Sequence, residues 1–376
     1  MDAVVSVEEL GEVGRRAGLS ALGVAPAAPM ARARRVLEER RAAGLHGGMA
    51  FTYRNPARST EASRTLPGAR ALVVAARSYR RADPGVPSGG VPGRVARYAW
   101  EDHYAQLRAG LGAVADRLRV DGWQARVLAD DNALVDREAA WLAGLGWYGK
   151  HSNLMLPGEG SWFVLGSVLT DAPLPPAEQP VADGCGSCRR CLDGCPTGAI
   201  VGPGVVDARR CLAWLLQAEG AFPRTHRAAL GDRIYGCDDC QEVCPITVRV
   251  ERRAPAVAGA TAGTATVDVL AMLAATDDEL LARHGRWYIA RRDPDHLRRN
   301  ALVVLGNVGD GADPAVAEAL AAALAHPNPL VRAHAVWAAR RLDRADLVGG
   351  VAHDADPLVR AELDATDVAL ADRARP

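Results

Sequence analysis

Along the first 175 residues the apolar positions alternate between helical and extended spacing. SVEELGEVGRRAG (6–18) is amphipathic, opens on a capping box of Ser6 and Glu9, and stops at Gly18, so it predicts a helix. The apolar runs LSALGVA (19–25) and ALVVAARSY (71–79) predict buried strands, with an arginine-rich helix over 31–43 between them. A loop rich in proline and glycine, RADPGVPSGGVPG (81–93), follows. Helices are expected at about 102–120 and 134–145, and strands at WQARVLA (123–129) and SWFVLGSVLT (161–170). This order predicts an α/β domain over residues 1–175.

Two segments read as linkers, DAPLPPAEQP (171–180) and RRAPAVAGATAGTA (252–265). Beyond the second the chain repeats itself. NPLVRAHAVWAARRL (328–342) and DPLVRAELDA (356–365) share x-P-L-V-R-A, and DPDHLRRNALVVLGN (293–307) and DPAVAEALAAALA (313–325) are looser relatives. In each, Asp or Asn caps a helix, proline takes its first position, and apolar residues line one face. Such repeats predict a HEAT-like helical stack over 266–376.

Hydrophobic content of 49% and charged content of 24% over 376 residues are ordinary for a globular chain. No apolar run has transmembrane length, and the acidic, amphipathic start is unlike a signal peptide, so a cytoplasmic protein without a membrane partner is expected. A formal net charge of zero excludes a globally basic nucleic-acid binder, though not a local basic patch. Lys and Arg total 45, yet Lys150 is the one lysine.

The eight cysteines all fall within residues 185–244. CGSCRRCLDGCP (185–196) reads C-x2-C-x2-C-x3-C-P, the run of bacterial ferredoxins. CDDCQEVCP (237–245) reads C-x2-C-x3-C-P, with Cys211 upstream, a permuted copy of the first group. Such clustering in a cytosolic chain points to metal or redox chemistry rather than disulfides. Eight thiolates suit two 4Fe–4S clusters in a ferredoxin-like domain over 176–251. The crossover of two-cluster ferredoxins assigns Cys185, Cys188, Cys191 and Cys244 to one, and Cys195, Cys211, Cys237 and Cys240 to the other. The alternatives are structural thiols or paired zinc sites, which usually come as two matched C-x2-C knuckles. The pattern identifies an electron relay without saying what receives the electrons.

The order of α/β domain, two clusters and helical repeats, with several dispersed segments, resembles the epoxyqueuosine reductase family, cobalamin-dependent enzymes completing queuosine biosynthesis on tRNA. The segments are LPGARALVVAARSY (66–79), LVDREAAWLAGLGWYGKHSNLM (134–155), GSWFVLGSVLTDAPLP (160–175), GCPTGAI (194–200), GDRIYGCDDCQEVCP (231–245) and LRRNALVVLGN (297–307). One segment departs from the family's Y-A-x-G-x-D-Y-H: YAWEDHYAQL (98–107) has Glu101, His103 and Ala105 where glycine, aspartate and histidine are usual, so only Tyr98 is carried over.

The resemblance implies reduction of an epoxide in the modified wobble base to an alkene, with loss of water. It implies cobalamin, with cob(II)alamin as resting form, and an external low-potential electron donor to a monomeric enzyme. No D-x-H-x-x-G run supplies a histidine ligand to cobalt. Asp136 matches the family's proton donor; capping a helix start is its alternative duty. Arg58, Tyr98, Asp136, Lys150, Ser152, Asn153 and Ser161 are the candidate cobalamin contacts. For Lys150 the alternative is a solvent-facing side chain.

For tRNA, RHGRWYIARRDPDHLRR (283–299) concentrates Arg283, Arg286, Arg291, Arg292, Arg298 and Arg299, and Arg332, Arg340, Arg341 and Arg344 continue along the repeats. Solvated helix faces with internal carboxylate pairing would look the same in sequence. Two rival classes share the cysteines. A reductive dehalogenase would leave the repeats unexplained, and an electron-transfer subunit would carry no corrinoid.

Overall fold

Ser6 starts the first helix by accepting the Glu9 backbone N–H at 3.1 Å, and the helix Val7–Arg16 buries Leu10. The protein is described by a computed structural model over residues 5–81, 85, 89–253 and 265–365. Parts of two expected connectors, 82–84 with 86–88 and 254–264, lie outside the described residues.

The expected strands form, as Ala21–Pro26, Ala71–Ser78, Ala125–Ala129 and Phe163–Thr170. They make one four-stranded sheet in which Ala71–Ser78 and Phe163–Thr170 are central and every neighbouring pair is antiparallel. Alternation of helices and strands commonly accompanies parallel pairing. Here Ala71–Ser78 and Ala125–Ala129 run the same way but are kept apart by Phe163–Thr170, which runs against both. The central strands are apolar on both faces because both faces are covered, with residues 71–76 wholly buried.

The chain falls into two compact units: residues 1–82, 101–209 and 238–260 form one, and 83–100, 210–237 and 261–376 the other. The three consecutive segments expected from the sequence are therefore not the packing units. Strand pairing is the reason. Pro92–Val95 pairs in parallel with Arg233–Tyr235 and antiparallel with Thr266–Asp268, so pieces of the first and second segments are built into the third. Composition shifts mark linkers but cannot reveal such a three-stranded sheet.

Asp313, Asn328 and Asp356 accept backbone N–H groups of Ala315, Leu330 and Leu358 at 2.8–2.9 Å, with proline in each first turn. These caps open the helices Pro314–Leu324, Pro329–Arg341 and Pro357–Leu363. Asp295–Val308 starts differently, with Pro294 in the cap position and Asp293 accepting the Asp295 N–H. The four helices pack as neighbours around Leu302, Val336 and Trp337.

Arg299 is 1% exposed, and its guanidinium donates to the carbonyls of Leu215, Leu216, Ala218 and Gly220 at 2.6–3.1 Å. Arg298 is also buried, bonded to Asp277, Asp295 and the Ala275 carbonyl. Both sit inside the helical unit, which corrects the expectation that they face RNA. Arg332 pairs with Asp354, and Arg340 caps the carbonyls of Glu362, Leu363 and Ala365. Among the described residues no helix is long and apolar enough to cross a membrane.

Removing Arg299 strands four carbonyls. Arg299→Met should cost about 3–5 kcal/mol, read as a lower denaturation midpoint. Arg299→Lys should restore little of it, because an ammonium cannot reach all four.

Candidate cluster and proton-donor site

The short helices Arg190–Asp193 and Asp239–Glu242 pack together and carry cysteines of the two sequence groups. Gly194, which ends the first, must lack a side chain: a Cβ there would lie 2.9 Å from the Arg190 carbonyl and 3.1 Å from Val243. None of the eight cysteines is in a disulfide.

Cys191 and Cys244 are buried, and Cys244 packs with Cys185, Trp147 and Met155. Burial, followed by the charges of Cys185, Cys244 and Cys188, pushes the Cys191 thiol up to about 11. Cys191 is thus within electrostatic reach of the other three thiols, a repulsion that bound iron would offset. Among the described residues no three His, Cys, Asp or Glu side chains converge as on a single ion. Cys195 accepts the Ala199 N–H on its sulfur at 3.2 Å and belongs to the same unit as Cys240, whereas Cys211 and Cys237 belong to the other.

The turn 149–153 lies against this ligand loop. Lys150 Nζ donates to the carbonyls of Gly186 at 2.6 Å and Cys188 at 2.9 Å. Ser152, in the left-handed region at φ 68°, donates to the Gly204 carbonyl. Asn153 donates to Gln241 at 2.7 Å, and Ser161 is buried 3.5 Å from the Thr247 hydroxyl. The hydrogen bonds of these four side chains go to the protein itself. Lys150 in particular is bonded to the loop that carries Cys185 and Cys188.

Asp136 is the first residue of the helix Asp136–Leu142, whose cap position is Val135 and which has no side-chain cap. Its Oδ1 is shut off from solvent and has no hydrogen-bond partner. Capping is therefore not its duty. Burial first, then the nearby Asp130 carboxylate, raises its carboxyl well above the ordinary carboxylate range, against the pull of Arg137. The Val135 N–H donates to the Ser59 carbonyl at 3.1 Å, which ties the segment before Asp136 to the one that carries Arg58. The Arg58 side chain is exposed and makes no hydrogen bond or ion pair among the described residues.

Three neighbours were not singled out from sequence. His151 is 5% exposed; burial and then the Arg137 charge lower its imidazole to about 4, and its Nδ1 accepts the Asn153 N–H. Glu138, buried, accepts from Nε and Nη2 of Arg32 with its two oxygens and accepts the Tyr148 hydroxyl at 3.0 Å. Arg32 lies over the Trp141 ring at 4.1 Å, so this group anchors the helix that carries Asp136. Gln241, inside the second cysteine group, receives Asn153. A histidine beside the lone lysine was the available signal; pairing over 106 residues left none for Arg32.

Tyr98 lies in the second unit, tilted against Tyr235 with ring centroids 6.1 Å apart. There Arg286 donates to the Trp100 carbonyl, while Arg291 and Arg292 follow one another at φ 53° and 54°. The Arg291 side chain is 76% exposed and meets Glu219 at 2.8 Å, and Arg292 donates to the Gly285 carbonyl. Of the arginines expected to face RNA, these two are held outward by the backbone.

If Cys185, Cys188, Cys191 and Cys244 share one cluster, Cys191→Ser should bind about half the wild-type iron and sulfide after anaerobic reconstitution. Unchanged iron would contradict the grouping.

The 4Fe–4S double cluster binding domain family matches residues 184–247. The epoxyqueuosine reductase of Xanthomonas campestris pv. campestris is 36% identical over 306 residues, 79% of this chain and 85% of the relative. A crystal structure of epoxyqueuosine reductase with an epoxyqueuosine-modified tRNA-Tyr stem loop superposes with a TM-score of 0.84 at 28% identity, covering 95% of this chain and 96% of the other. The Bacillus subtilis enzyme, in a structure with its catalytic aspartate loop swung out of the active site, gives a TM-score of 0.85 at 27% identity over 95% and 96%. This chain, with its paired cysteine groups and enclosed aspartate, belongs to the epoxyqueuosine reductase family.

Proposed function

We propose that the protein reduces epoxyqueuosine to queuosine at the wobble position of tRNA anticodons, the last step of queuosine biosynthesis. Family membership and the double-cluster domain support the reading, and a relative solved with a modified tRNA stem loop supports tRNA as the substrate. The observation that carries the chemistry is Asp136, a carboxyl whose pKa is raised well above the ordinary range by burial and whose Oδ1 has no hydrogen-bond partner.

Conversion of the epoxide to an alkene with loss of water consumes two electrons and two protons. Cys185, Cys188, Cys191 and Cys244 would hold one 4Fe–4S cluster, and the remaining four cysteines the second, by count and spacing. When bound, the clusters supply electrons singly from an external low-potential donor, and cobalamin supplies the cobalt that couples them to C–O cleavage. The orphaned Oδ1 of Asp136 and the exposed guanidinium of Arg58, both in the first unit, are the groups that would engage a large bound cofactor. Asp136 gives its proton to the departing oxygen, which would otherwise leave as an alkoxide. The Glu138–Arg32–Tyr148 group holds the helix that aims it. Arg286, Arg291 and Arg292 are the arginines left to meet tRNA phosphates in the second unit. A tRNA substrate implies a cytoplasmic enzyme, and nothing in the chemistry needs more than a monomer.

The deciding assay is anaerobic: epoxyqueuosine-bearing tRNA, cobalamin, a low-potential reductant and the loaded protein, with nucleosides read by mass spectrometry. Appearance of queuosine is expected; unchanged substrate with fully loaded protein would end the proposal.

Asp136 makes two further outcomes specific. Its folded pKa lies above its unfolded value, so its contribution to stability is complete below the unfolded pKa and is lost as pH rises through the folded one. Turnover should fall along the same rise, as the acid ionises. Asp136→Asn cannot ionise, so it should be at least as stable as wild type at pH 8, bind both clusters, and lose about 10²-fold or more in turnover. Normal turnover by this variant would remove the assignment.

Binding of tRNA should weaken steeply with salt, and Arg291→Ala should lower affinity and flatten the log–log salt slope by about one unit without changing iron content. A salt-independent affinity would contradict the arginine contacts.

A further inference from the structure

We propose that Lys150 is a positioning residue for electron transfer: its ammonium clamps the Cys185–Cys188 loop and raises the reduction potential of the cluster that this loop binds. The inference rests on the double-cluster reading and adds to it a residue that holds no iron and touches no substrate.

Two carbonyl oxygens from one short loop converge on one nitrogen. Nζ lies 2.6 Å from the oxygen of Gly186, between two ligands, and 2.9 Å from that of Cys188, itself a ligand. Gly186 adopts φ 50°, and the Cys188 N–H closes the turn on the Cys185 carbonyl at 3.1 Å. The loop therefore turns carbonyls toward Nζ while its thiols remain for iron.

The other end of the lysine is equally fixed. Its own carbonyl accepts the Gly204 N–H at 2.8 Å, and the Gly204 carbonyl accepts Ser152 Oγ at 2.8 Å and Arg40 at 2.7 Å. The turn is closed by the Gly149 N–H on the Asn153 carbonyl at 2.8 Å. An ammonium anchored on both sides is a fixed charge, unlike a lysine moving in solvent.

This accounts for the identity of the residue. Elsewhere the chain uses arginine for its cations. A guanidinium spreads its N–H groups over a planar fork, whereas an ammonium is a compact charge with three donors on one atom, which is what two converging carbonyls require. A cluster that accepts an electron becomes more negative, and a fixed, half-buried cation stabilises that state more than the oxidised one. Arg189 nearby is exposed and meets Asp193 at 3.8 Å, so solvent and its partner screen it.

The test is an EPR-monitored redox titration of anaerobically reconstituted full-length protein, with iron and sulfide counted on the same samples. Lys150→Met removes charge and donors; Lys150→Gln keeps an N–H donor and removes the charge; Lys150→Arg keeps the charge and alters the geometry. With full iron, Lys150→Met and Lys150→Gln should shift one cluster to a more negative potential and leave the other unmoved. A tenfold loss in that cluster's reduced-to-oxidised ratio at fixed poise corresponds to 59 mV for a one-electron couple. Unchanged potentials in a fully loaded neutral variant overturn the proposal. If neither neutral variant loads, Lys150→Arg decides: loading near the wild-type potential supports the role of the charge, and failure to load overturns it. Wild-type protein that takes up zinc in place of iron and sulfide would instead overturn the cluster reading, a separate and visible failure.

Discussion

Four thiols that repel one another as thiolates must be held together by chain segments far apart in sequence. Cys185, Cys188 and Cys191 come from one loop, and Cys244 from beyond a stretch, 210–237, that is built into the other unit. Closing so long a loop costs entropy that grows only slowly with its length, but ordering the ligands costs more. A cluster bound to these four thiols, as proposed, would return that free energy, so folding of this region and loading of the cluster would be thermodynamically linked. Protein groups around the ligand loop contribute what preorganisation they can: a buried Cys244 beside Trp147 and Met155, a glycine at 194, and an ammonium on two carbonyls.

That last device recurs. Arg299 gathers carbonyls of Leu215 and Leu216 at the end of a short helix, and Arg340 gathers those of Glu362 and Leu363 at the end of another. Arg332 takes the carbonyls of His326 and Pro327. The last carbonyls of a helix have no partner within it, and a long cationic side chain can supply several donors at once. In a chain so rich in arginine, much of its positive charge is spent on closing its own backbone. This is why a neutral protein can carry an arginine-dense segment whose buried members have no free donor for phosphate.

The same fact marks the limit of sequence reading. Helix Val7–Arg16 with its Ser6 cap, the proline-led helices, and the apolar strands were all legible, because caps and periodicity are local. The approach of Cys244 to Cys185 and Cys191 matches what the spacing of the two groups leads one to expect. Arg298 and Arg299 were not, since an arginine bonded to a distant carbonyl and one aimed at RNA have identical neighbours in sequence. Nor was the interleaving of the two units, which depends on Pro92–Val95 finding Arg233–Tyr235 across the chain. Lys150 stood out by residue type alone. Its rarity signalled a compact charge, and only the fold supplied the two oxygens it serves.

Asp136 and Glu138 show how one short helix treats two carboxyls in opposite ways. Glu138 is buried, and Asp136 is partly so, with its Oδ1 shut off from solvent. Glu138 receives Arg32 and the Tyr148 hydroxyl, so its negative charge is matched. Asp136 receives nothing on Oδ1, and Asp130 adds a like charge to the effect of burial, so its carboxyl holds its proton more tightly than usual. The helix start and Arg137 both favour the anion, yet screened effects of this kind are worth roughly 1 kcal/mol each, against several for stripping water from a carboxylate. Desolvation wins. A paired carboxylate fixes the helix, and the carboxyl at its tip is left without a partner on Oδ1, free for the proton transfer proposed for it. Any group that covers this site therefore serves the chemistry twice, by bringing the reacting atoms and by keeping water from the acid.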